Sequence, residues 1–127
     1  MYGVSESASE TYWSGPERQI NDDPNHLDGR VPETSAGSLY DLLPPNEHKH
    51  LKATGEYNHL RIISRHGHIE HWLNGAKILE YDGNSSPMRA LINQSKFKDA
   101  PHFMKDLHVH IALHHGDPVW FRDIRIR

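Results

Sequence analysis

The chain has 127 residues, 35% of them hydrophobic, a formal net charge of −3 and no cysteine. That length suits one domain with one core. The slightly acidic balance, with no basic block, excludes nucleic acid as an electrostatically bound partner. The missing cysteines exclude a disulfide framework and thiolate chemistry.

No apolar run approaches the roughly 18 residues that cross a membrane as a helix. Tyr2–Glu6 reads as a short strand, followed by polar residues up to Gly15-Pro16. Glu17–Asn21 reads as a second strand. Its alternation puts Glu17, Gln19 and Asn21 on one face and Arg18 and Ile20 on the other. Residues 21–33, rich in Asn, Asp, Pro and Gly, form a loop. Ser35–Leu43 is predicted as a strand stopped by Pro44-Pro45. Three strands follow at about 57–64, 67–73 and 76–81, with turns at Arg65-His66-Gly67 and Asn74-Gly75. The second turn is the strongest hairpin signal in the chain, because a type I′ turn requires positive φ at both central residues.

Met88–Phe97 is the one predicted helix. Ser86-Pro87 marks its start, and Leu91 and Ile92 face the body of the protein. His108–Leu113 and Val119–Arg127 are the last predicted strands, joined by the turn His114-His115-Gly116-Asp117. In the final strand Ile124 and Ile126 share a face opposite Arg125 and Arg127. Many short strands, polar turns and one helix near 88–97 point to an all-β, antiparallel sandwich or jelly roll over residues 1–127.

Twelve histidines are the outlying count. His-x-His occurs at His48/His50, His66/His68 and His108/His110, a spacing that puts two imidazoles on one strand face. A divalent metal ion is compatible with that number, although no complete ligand set follows from it. His71 shares a face with Ile69 and Leu73; it reads as a half-buried histidine or as a general base at the mouth of the hairpin. Glu70 and Trp72 lie opposite. A tryptophan beside a carboxylate suits stacking on a sugar ring, and equally suits a second packed layer. Glu17, Gln19 and Asn21 read as an exposed edge or as a cleft floor, with Glu17 the carboxylate for acid/base work. His115 and Asp117 read as a plain turn or as an oriented pair.

GPERQIND (15–22), SAGSLYDLLPP (35–45), GEYNHLRI (55–62), HIEHWLNGAKILEYD (68–82), SKFKD (95–99) and HIALHHGDPVWFRDIRIR (110–127) together resemble the 3-keto-disaccharide hydrolase domain family. The resemblance implies a concanavalin A-like β-sandwich in secreted or periplasmic proteins. It also implies cleavage, by hydrolysis or elimination, at the glycosidic bond of a sugar oxidised at C3. Such a ketone acidifies the C2 proton; a base removes it, and the C1 substituent leaves as an acid protonates it. By motif position the resemblance implies Glu17, His71 and His115 as catalytic residues, with Gln19, Tyr40, Trp72 and Asn74 on the carbohydrate. Glu17 or His71 is the base.

Family members carry further residues before the position matching Tyr2. The chain is therefore expected to be an N-terminally incomplete sandwich whose bare edges a second copy could complete. The turn LHHG (113–116) is one residue shorter than the family's LQDHG-like turn. The other reading of the residues is a non-catalytic carbohydrate-binding module on the same sandwich.

Overall fold

The computed structural model describes residues 1–6, 8–100, 102–105, 111–113 and 118–127. Its centre is a three-stranded antiparallel sheet, β1 (Leu60–Arg65), β2 (His68–Leu73) and β3 (Ala76–Asp82), in the order β1-β2-β3. The turns form where expected. Asn74 and Gly75 take φ of 50° and 89°, the left-handed pair that the right-handed twist of a two-residue hairpin demands.

Alternation along β2 is clean. Ile69, His71 and Leu73 are buried on the inner face, while His68, Glu70 and Trp72 point outward. On β3 the alternation breaks. Trp72 pairs with Lys77, but His71 pairs with Leu79, so Ile78 is an extra residue in the ladder. This bulge lets the neighbours Ile78 and Leu79 both turn inward, at 0% and 6% exposure. Beyond it Glu80 and Asp82 face outward and Tyr81 inward.

The inner face packs on Leu39, Leu42, Met88, Phe97, Phe103 and Met104. Phe97 and Phe103 stack at 4.1 Å between ring centroids, and the Trp13 ring meets Phe97 edge-on. The helix α1 runs from Ser86 to Gln94. Ser85 caps it by accepting the Met88 N–H, and Pro87 occupies the first turn, where its missing donor costs nothing. Leu91 and Ile92 pack on the core as predicted. The helix stops earlier than predicted: Ser95 caps a separate 3-10 turn, Lys96–Asp99, which carries Phe97 inward.

Among the described residues the other expected strands do not form. Ser35–Leu43 is a folded-back, largely buried loop. Leu39 and Leu43 bond to each other across a reversal in which Asp41 takes a φ of 64°. Leu39 and Leu42 are both buried, a spacing of three that a straight strand cannot direct to one side. Among the described residues Glu17–Asn21 contributes only the bridge Arg18↔Leu39, and Tyr2–Glu6 only the bridge Tyr2↔Ile111. Val119–Arg127 is not paired among the described residues; Trp120, Ile124 and Ile126 are exposed. His108/His110 and the turn with His115 and Asp117 lie outside the described residues. Among the described residues no helix is long and apolar enough to cross a membrane.

Candidate functional site

Four of the residues singled out from the sequence meet around the loop at 35–40. The Tyr40 N–H donates to the Glu17 carbonyl at 3.0 Å. Gln19 exchanges backbone hydrogen bonds with Ser38 and Gly37. The Gly37 carbonyl in turn accepts from His71 Nδ1 at 3.0 Å. Glu17 and Tyr40 are half-buried and reach solvent; Gln19 and His71 are buried. Burial raises the Tyr40 phenol pKa, and the negative charges of Asp28, Glu17 and Asp41 add to the rise. The Lys96 ammonium lies 4.3 Å over the Tyr40 ring.

His71 is not at the mouth of the hairpin. It is 0% exposed, enclosed by rings that meet it edge-on from Tyr2 and Tyr81. Its partners settle its tautomer. Nδ1 faces a carbonyl and must carry the proton, so Nε2 accepts from the Tyr2 hydroxyl at 2.8 Å. The Tyr2 oxygen then accepts from Tyr81, 2.5 Å away. A continuous relay runs from Tyr81 through Tyr2 and His71 to Gly37, with each donor used once. Burial drives the imidazole pKa down to about 3, the Gly37 hydrogen bond opposing and the nearby Arg18 charge assisting. Burial likewise raises both tyrosines.

Arg18 borders this network. It is 6% exposed, and its Nη2 donates to the Trp72 carbonyl at 3.3 Å. Its Nε and the Ser38 hydroxyl are buried without a hydrogen-bond partner among the described residues. Burial lowers the guanidinium pKa to about 10. The expected placing of Gln19 with Glu17 and Asn21 on one strand face, opposite Arg18 and Ile20, therefore does not hold, because the neighbours Arg18 and Gln19 are both enclosed.

Trp72 and Asn74 lie apart from this group. Trp72 sits on the outer sheet face, where its Nε1 donates to Glu70 Oε2 at 2.7 Å. That bond is the first cause of the lowered Glu70 pKa. The Asn74 side chain closes the hairpin: its Oδ1 accepts the His59 N–H, and its Nδ2 donates to the His50 carbonyl and to Asn58 Oδ1. A groove of about 350 Å³ along β3, lined by Leu43, Pro44, Pro45, Ile78 and Glu80, contains none of the predicted site residues.

The sequence reading did not find Tyr2, Tyr81 or Arg18. Their partners are distant in sequence, and no local pattern marks them. His48 and His50 lie exposed in a loop, and neither belongs to a three-residue ligand group among the described residues. His68 does, with Glu70 and Glu80, whereas its predicted mate His66 is taken up in the turn at a φ of 51°.

This arrangement is an inner polar network beneath a half-exposed carboxylate and phenol, and a family model matches the chain that carries it. The match covers residues 1–127 and is described as the 3-keto-alpha-glucoside-1,2-lyase-like domain. The chain belongs to this family. A 3-keto-disaccharide hydrolase of Bacteroides thetaiotaomicron is 30% identical over 130 residues, covering 91% of this chain and 44% of that protein. The crystal structure of a candidate glycosyl hydrolase from Parabacteroides distasonis is similar at a TM-score of 0.66 and 25% identity. That similarity covers 78% of this chain and 47% of the other. As a 3-keto-alpha-glucoside-1,2-lyase-like domain, the chain thus spans less than half the length of either relative.

Proposed function

We propose that the chain forms the carbohydrate-facing part of an enzyme that cleaves the glycosidic bond of 3-keto-disaccharides or 3-keto-glucosides by acid/base chemistry. Family membership over the whole chain carries the reading. The backbone hydrogen bond that sets Tyr40 beside the solvent-reaching Glu17, whose charge is felt at the Tyr40 phenol, supports it, because the reaction needs a base and a donor near one another.

In this reading Glu17 removes the C2 proton, activated by the C3 ketone, and Tyr40 hydrogen-bonds the developing enolate oxygen. The C1 substituent leaves with its bonding electrons and is protonated as it departs; in this reading His115, which the family resemblance implies as catalytic, supplies that proton. Water then adds across the new double bond if the outcome is hydrolysis. No nucleophilic carboxylate is required. His71 serves as a positioning residue: held neutral and donating to Gly37, it fixes the loop that presents Tyr40. The domain is a β-sandwich completed against the edge strand β1, by a second copy in this reading, and it works in the periplasm or outside the cell.

The test is release of the aglycone from a 3-keto-glucoside by the purified, folded chain. Wild type is expected to release it, and Glu17→Gln to lose about 10²–10⁴-fold of the rate. An unchanged rate in Glu17→Gln removes that residue as the base. Absence of release from a folded protein that still binds the sugar would make the chain a binding module.

A further inference from the structure

We propose that His68, Glu70 and Glu80 form a binding site for a divalent cation of the zinc class on the outer face of the sheet. The site is separate from the Glu17–Tyr40 group and does not depend on the activity proposed above. His68 and Glu70 stand two apart on β2 and share its outer face. Glu80 is the residue directly opposite Glu70 on β3. His68 Nε2 lies 3.6 Å from Glu70 Oε1 and 3.7 Å from Glu80 Oε2. One ligand atom from each residue falls within 4.8 Å of the others. Donors bound tetrahedrally at zinc distances stand about 3.4 Å apart, so both imidazole–carboxylate edges are already close to the bound spacing. One imidazole and two carboxylates leave the fourth position to solvent, and a mixed nitrogen and oxygen set favours zinc over calcium or magnesium.

Two further observations single out this spot. Glu70 and Glu80 are like charges placed directly across a ladder, an arrangement that is unfavourable without a cation. The fold meets that demand with the Lys77 ammonium, 2.5 Å from Glu80 Oε2 and 3.7 Å from Glu70 Oε1. Because an exposed ion pair is weak, the ammonium can yield the position to a metal. The Trp72 indole also holds Glu70 Oε2 and leaves Oε1 turned toward His68, the kind of outer hydrogen bond that orients a metal-binding carboxylate. Asp82, opposite His68 on β3, adds negative charge; Arg65, opposite His68 on β1, opposes it.

The experiment is calorimetric titration of the whole chain with Zn²⁺, together with Co²⁺ titration followed by visible absorption and by Trp72 fluorescence. Wild type, His68→Ala, Glu80→Gln, Lys77→Gln and Trp72→Phe are compared. Wild type should show a Co²⁺ spectrum of low-coordinate nitrogen and oxygen ligation, with quenching that Trp72→Phe removes. His68→Ala and Glu80→Gln should each lose one equivalent of bound metal. Lys77→Gln should bind it more tightly, since a competing cation is gone, and Trp72→Phe about 10-fold more weakly. These side chains face solvent or are only half-buried, so the variants should keep the wild-type circular dichroism spectrum. Binding of the same stoichiometry in His68→Ala and Glu80→Gln, as from the other histidines, overturns the proposal. So does weaker binding in Lys77→Gln, or no binding by wild type.

Discussion

His71 makes the stability of this protein depend on pH in a way that one substitution should remove. Its imidazole is neutral in the folded chain, with a pKa near 3 against 6.5 for an ordinary histidine. The folded-state pKa is depressed, so as pH falls the unfolded chain takes up the proton first. The stabilisation is complete above about pH 6.5 and is lost progressively down to about pH 3. The slope is about 1.4 kcal/mol per pH unit, so moving from pH 6.5 to pH 4 should cost on the order of 3 kcal/mol. His71→Gln cannot titrate. At neutral pH it should be less stable than wild type by about 2–3 kcal/mol, because the Tyr2 and Gly37 partners lose their fitted hydrogen bonds. The gap should narrow steadily on acidification and close near pH 4–5. Urea unfolding followed by tryptophan fluorescence, in half-unit pH steps, measures both curves, and groups common to the two proteins cancel in the difference. Parallel curves from pH 7 to pH 4 would refute the reasoning: His71 would then be charged, or solvated, in the folded state.

Two glycines with similar positive φ separate backbone strain from crowding. Gly75→Ala meets no atom within 4 Å and should cost about 1–2 kcal/mol, the left-handed penalty alone. Gly37→Ala has the same backbone problem, and its new Cβ would stand 2.3 Å from Ile78 Cδ1 in the core. It should cost about 3 kcal/mol or more in the same unfolding assay, and equal losses at the two sites would show that Ile78 moves aside freely. Asn74→Gly tolerates the φ of 50° but deletes three side-chain hydrogen bonds that tie β2 to residues 50–59. A loss of about 1–3 kcal/mol is expected, with amide exchange accelerated first at His59; unchanged exchange there would mean that the clamp is not formed in solution.

Local chemistry in the sequence determined a good part of this molecule. Asn74-Gly75 specified a hairpin, because few residues tolerate two successive left-handed φ values. Period-two alternation separated Ile69, His71 and Leu73 on one face of β2 from Glu70 and Trp72 on the other. The start of α1 near Ser86-Pro87 followed from proline's missing donor. These signals act over a few residues and need no knowledge of what packs above them. Tertiary structure decided the rest. A bulge-free ladder running on from Trp72↔Lys77 would set Glu70 against Leu79. Only the bulge at Ile78 brings Glu80 opposite Glu70, and it forms because burying both Ile78 and Leu79 gains more than one regular ladder pair. Likewise Ser35–Leu43 has a strand-like composition, yet it reverses at Asp41 because Leu39 and Leu42 both find the core. The enclosure of His71 depends on Tyr2 and Tyr81, distant from each other in the chain and brought together only when the inner sheet face is covered. A polar residue's role as exposed base or buried strut is set by what lies above it, and that information resides in long-range packing.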